Sequence, residues 1–83
     1  MVILPLKPKI TAKLAKFSLQ KKFAKQLSFL GQNYRHPGLH VELLEPKQYG
    51  VHSFRIDRKF RALFVFRLDI SAIEILAITV HYR

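Results

Sequence analysis

The hydrophobic pattern of this chain changes its period partway along, and that change limits what it can fold into. In "SLQKKFAKQLSFLGQN", Leu19, Phe23, Leu27 and Leu30 follow i, i+4, i+8 and i+11 spacing, which gathers them on one helical stripe with Lys21, Lys22 and Lys25 off it. Before it, "PKITAKLAK" repeats the pattern with Ile10 and Leu14, and Pro8 suits a first helical turn. Ser18 is expected to cap the second helix, with Gly31 and Asn33 as its stop signals. From Val51 onward the period becomes two. "VHSFRI", "FRALFVFR" and "IEILAITVHY" read as strands rich in β-branched and aromatic residues. The short connections "DRK" and "LDISA" make consecutive pairing antiparallel. Residues 2–6 read as an edge strand, a place where the nearby prolines are tolerated. "HVELLE" reads as a further short strand. "YRHPGL" and "PKQYG" read as turns, with Pro37 and Gly38 opposed to helix or central strand. The expected fold is α+β: two N-terminal helices on one face of a small, mainly antiparallel sheet, in the order β-α-α-β-β-β.

A chain of 83 residues means one domain, near the lower limit for a core without staples. Its 49% hydrophobic content, with seven Phe and three Tyr, makes such a core attainable. The absence of Cys removes disulfides and thiolate metal sites, and fits a reducing cytoplasm. No uncharged apolar run approaches the roughly 20 residues of a membrane helix. The opening "MVILPLKPKI" has its charges after a short apolar stretch, so neither a signal peptide nor a membrane partner is expected. Charge is the strongest compositional signal, at +10. Eight of the fifteen cations, and none of the five acids, precede Glu42. A chain this basic is drawn toward polyanions, above all nucleic acid or an acidic protein partner. The other reading is a solvated lysine face that only keeps the protein in solution.

Within "SFRIDRKFRALF" four cations interrupt apolar residues. Alternation puts Phe60, Ala62, Phe64 and Phe66 on one side of their strand and Arg61, Leu63, Val65 and Arg67 on the other. Arg61 is therefore expected on the open face of the sheet. Arg55 lies six positions earlier across a hairpin, so the two guanidiniums can converge as a two-point clamp for phosphate. They can equally be solvated, or serve as partners for Asp57 and Glu74. His81 and Tyr82 close the last strand. Histidine suits proton transfer near neutral pH, and tyrosine can stack on a base. A histidine at a strand end can also be incidental. Glu42, the first acid, is either a general base near the arginines or an exposed strand glutamate. His36 and His40 share i, i+4 spacing, but Pro37 and Gly38 break any helix that would align them, so no metal site is expected. There is no Gly-rich phosphate loop and no local motif for a catalytic triad.

Taken in order, "NYRHPGLHVELLEPKQYGVHSFRIDRKFRALFVF" followed by "IEILAITVHYR" resembles the RelE/ParE superfamily of bacterial type II toxins. The resemblance spans essentially the whole chain and rests on "HPGL…G…FRID…FR". Within that superfamily, the His-Tyr ending looks most like the YoeB-type and RelE-type messenger-RNA endonucleases. It implies attack of a ribose 2′-hydroxyl on the adjacent phosphate, typically on ribosome-bound message, with no cofactor and no metal. On that resemblance, Arg61 matches the arginine that stabilises charge on the phosphate, and His81 the general acid to the leaving 5′-oxygen. Tyr82 would stack on the nucleotide, and Glu42, counted back from Gly50, falls where the YoeB type has its general base. Arg55 would clamp phosphate, with Arg58, Lys59 and Lys47 as further phosphate contacts. Phe60 stands where a tyrosine is common, and the RelE type lacks the histidine. ParE-type members instead poison DNA gyrase. The resemblance also implies a cytoplasmic protein held in a hetero-oligomer by an acidic cognate antitoxin.

Overall fold

The computed structural model describes residues 1–80. Two short helices lie on one face of a five-stranded mixed sheet. The elements run β1 (Val2–Ile3), α1 (Pro8–Lys16), α2 (Gln20–Gln32), β2 (Glu42–Leu43), β3 (His52–Arg55), β4 (Phe60–Arg67) and β5 (Ala72–Val80). The sheet order is β1-β5-β4-β3-β2, every pairing antiparallel except β1 with β5. The expected α+β fold is therefore present, with β2 as the short strand expected within "HVELLE". Among the described residues, no helix is long and apolar enough to cross a membrane.

The predicted stripes form the core. Ile10 and Leu14 of α1, and Leu19, Phe23 and Leu30 at α2, are buried against Phe54, Phe60, Ala62 and Phe64. The Phe23 and Phe54 rings lie 5.9 Å apart, and Phe54 and Phe64 5.8 Å apart, so α2, β3 and β4 share one aromatic seam. The spacing in β5 is not uniform. Ile73 and Ile75 point inward, and so do Ile78 and Val80, which breaks strict alternation. A bulge resolves the conflict: Leu63 pairs with Ala77 and Phe64 with Ile75, leaving Leu76 as the extra residue.

Four local expectations change in detail. Ser18 is not an N-cap. It sits at φ 54° as the left-handed residue that ends α1, with its amide on the Ala15 carbonyl and the Leu19 amide on the Leu14 carbonyl. That is the Schellman arrangement, and it brings Leu19 down onto Leu14. Gly31 lies within α2, which stops only at Asn33. "YRHPGL" does contain a turn of helix: Pro37–Leu39 is 3₁₀, with Pro37 in its first turn and the His36 ring capping it. "PKQYG" likewise holds a 3₁₀ turn, Lys47–Tyr49, ended by Gly50 at φ 65°.

A candidate anion-binding cleft on the open face of the sheet

The face of the sheet away from the helices is written by register. Glu42 pairs with Ser53 and Ser53 with Leu63, which in turn pairs with Ala77. One step along, Arg55 stands directly opposite Arg61, and Arg61 opposite Thr79. Side chains so paired share a face with their Cβ atoms about 5 Å apart. A cleft of about 260 Å³ opens here, lined by Glu42, Leu44, Ser53, Arg61, Leu63, Thr79 and Val80. The sequence-level convergence of Arg61 with Arg55 and with Glu42 is thus present in the fold. Arg55 faces Arg61 but does not line the cleft.

Arg61 differs from expectation in depth. It was expected open on the face, yet it is only 8% exposed. Neighbouring strands on both sides and the chain around His40 rise about it. Its one side-chain hydrogen bond among the described residues is a long one, 3.5 Å from Nη1 to the His40 carbonyl. A buried cation held so weakly is costly unless an anion meets it. The alternative of pairing with Asp57 or Glu74 is excluded by geometry. Asp57 takes Lys22 at 3.3 Å, and Glu74 takes Arg67 at 2.9 Å and Lys7 at 3.4 Å. Among the described residues, neither Arg55 nor Arg61 has a carboxylate within 4 Å.

Ser53 was not foreseen. It is 2% exposed, lines the cleft beside Arg61, and its Oγ has no hydrogen-bond partner among the described residues. Buried hydroxyls are ordinarily bonded, so an unmet donor next to an under-bonded guanidinium describes a receptor for oxyanion oxygens. Alternation from Arg55 was the available signal, since position 53 must share its face. Gln26 is the second residue that sequence reading passed over. Its Nε2 donates to the carbonyls of Gly38 and Arg55, at 3.1 and 2.7 Å, fixing the 3₁₀ turn and the end of β3 behind the cleft. It sits four residues before Leu30, on the apolar stripe, which marks it as inward-facing.

The remaining candidates are placed as follows. Glu42 lines the cleft from β2 with its side chain exposed. Arg58 and Lys59 are exposed in the β3–β4 turn, where Lys59 lies 5.6 Å from the Phe60 ring centroid. That turn is tied by Asp57, whose Oδ1 accepts from the Lys59 and Phe60 amides at 2.8 Å each. Partial burial opposes ionisation of Asp57, but those two amides and Lys22 outweigh it and hold its pKa below the ordinary 3.8. Lys47 lies in the second 3₁₀ turn, outside the cleft lining, 4.0 Å from Glu45. His81 and Tyr82 fall outside the described residues. Among the described residues no group of three metal-ligating side chains converges. No family model matches the chain, and no curated protein matches it.

Proposed function

We propose that this chain is a RelE/ParE-type toxin acting as an endoribonuclease on messenger RNA. One observation carries the proposal: among the described residues, a buried arginine with no carboxylate within 4 Å, Arg61, shares a cleft with a Ser53 hydroxyl that has no hydrogen-bond partner, and with Glu42. Such a cleft suits a phosphodiester, and the basic chain suits RNA.

In the proposed reaction the ribose 2′-oxygen forms a bond to the adjacent phosphorus as Glu42 takes its proton. The bond from phosphorus to the 5′-oxygen breaks, and His81 protonates that oxygen as it leaves. The products are a cyclic phosphate and a 5′-hydroxyl. Charge grows on the non-bridging oxygens in between, where Arg61 stabilises it most, with Arg55 neighbouring the cleft. Tyr82 would hold the nucleotide by stacking. The partner in this reading is an acidic antitoxin that covers the basic surface, both acting in the cytoplasm.

The test is induced expression of wild type, Arg61→Gln and His81→Gln in a bacterial host, with primer extension on a chosen messenger RNA and circular dichroism of each purified protein. New 5′ ends with wild type alone, from variants that remain folded, support the reading. Growth arrest without new ends, accompanied by loss of supercoiling, shifts the target to DNA gyrase. Full activity of both folded variants overturns it.

A further inference from the structure

The strand register that turns Glu42 and Ser53 toward the cleft turns their neighbours Leu43 and His52, also paired, to the opposite side. There, at the β2–β3 edge, lies a larger cavity of about 460 Å³. Its polar wall consists of Arg35, His36, His40 and His52, and among the described residues no carboxylate lines it. Tyr34 and His52 form a partition shared with a second, mainly apolar cavity of about 430 Å³, where Phe66, Val65 and Tyr49 lie. Both volumes fall in the roughly 300–1,000 Å³ range of small-molecule pockets.

The groups in this wall are already set in place. The Arg35 Nε donates to the Tyr34 hydroxyl at 3.3 Å, and its guanidinium carbon lies 5.5 Å from the Tyr34 ring centroid. Among the described residues, its two Nη groups bond to nothing in the protein. The His36 ring stacks on Phe29 at 4.2 Å, and its Nδ1 accepts from the Gly38 amide at 3.1 Å. With Nδ1 so used, neutral His36 carries its proton on Nε2, a donor for a ligand. A Cβ at position 38 would crowd this ring, standing 3.1 Å from His36 Cε1. Nδ1 of His52 donates to the Gly50 carbonyl at 3.0 Å, which leaves Nε2 as an acceptor. The ring is fixed further by Phe64 at 5.5 Å and Phe66 at 5.1 Å. An anion-seeking half thus adjoins an aromatic half, with hydrogen-bond donors and acceptors at the boundary.

We propose that these two neighbouring cavities together bind a nucleoside 5′-monophosphate, its phosphate on Arg35 and His36 and its base beside Tyr34 and His52. The group can belong to a free nucleotide or to the 5′ end of an RNA. The inference does not rest on the nuclease reading, because the site lies on the other face of β2 and β3.

Full-length protein is titrated by calorimetry with AMP, adenosine, inorganic phosphate, and a short oligoribonucleotide with or without a 5′-phosphate. The variants are Arg35→Gln, Tyr34→Leu, Tyr34→Phe and Arg61→Gln, each checked for folding. The expected result is AMP binding weakened about tenfold by Arg35→Gln. Tyr34→Leu should weaken it too, and more than Tyr34→Phe, which keeps the ring but loses the hydroxyl that accepts from Arg35, while Arg61→Gln retains it. Equal preference for AMP and the 5′-phosphorylated oligomer assigns either source, whereas binding of that oligomer alone assigns RNA ends. The proposal is overturned if no phosphorylated probe binds the folded protein. It is overturned equally if Arg61→Gln removes binding and Arg35→Gln does not, or if inorganic phosphate binds as well as AMP and Tyr34→Leu changes nothing.

Discussion

Ser18 and Gln26 show how much a single position can decide. A serine at φ 54° carries a left-handed strain of about 1–2 kcal/mol that glycine escapes. Ser18→Gly should therefore raise stability by about 0.5–1 kcal/mol in chemical denaturation, because the Schellman bonds use only backbone. Gln26 argues the other way. Gln26→Leu suits the apolar stripe, but it strips two part-buried carbonyls of their donor. A loss of about 1–3 kcal/mol should follow, read as a fall of several degrees in melting temperature. Neither role was legible in the sequence. Serine before a helical stripe most often caps it, and only the tertiary descent of Leu19 onto Leu14 reveals that the chain turns left-handed there. Glutamine on a stripe reads as a gap in hydrophobicity until its carbonyl partners, twelve and twenty-nine residues away, are known.

At the level of elements, hydrophobic period carried far. The span of β4 and the inward placement of Phe60, Ala62 and Phe64 follow from alternation alone. The directness of the Arg55–Arg61 pairing follows from a short hairpin. Burial of Arg61 did not follow, since depth depends on how neighbouring strands and the His40 segment rise around it, which one strand's pattern does not encode. The β3–β4 turn has its own pH dependence. Asp57 titrates below 3.8 in the folded protein, so its contribution is present above that ordinary value and is lost as pH falls through the lower folded value. Acid titration of Asp57→Asn should show a shallower loss of stability below about pH 4 than wild type. The variant should be the less stable of the two at pH 7, since an amide oxygen accepts the Lys59 and Phe60 bonds less strongly.

Across the whole molecule, charge is sorted rather than spread. Asp57, Asp69 and Glu74 are each engaged by Lys22, Arg67 or Lys7. The surplus of cations is left on exposed helix lysines, on Arg35, Arg58 and Lys59, and on the Arg55–Arg61 pair. If the chain binds RNA as proposed, its affinity should fall linearly on a log–log plot against salt, and Arg55→Gln should reduce the slope by about 0.7 where that arginine meets a single-stranded backbone. Filter binding across a salt series reads the slope directly. The arginine pair also has a cost in the free protein, because like charges directly opposite on paired strands repel. Arg55→Gln should consequently melt higher than wild type in a weakly coordinating buffer while binding RNA less well. A phosphate buffer should narrow or reverse that difference, since an oxyanion resting between the guanidiniums stabilises wild type by mass action. The buffer is then a reagent: a melting curve recorded in phosphate reports the protein with its guanidiniums bridged, and one recorded in a large, poorly coordinating zwitterion reports the repulsion between Arg55 and Arg61.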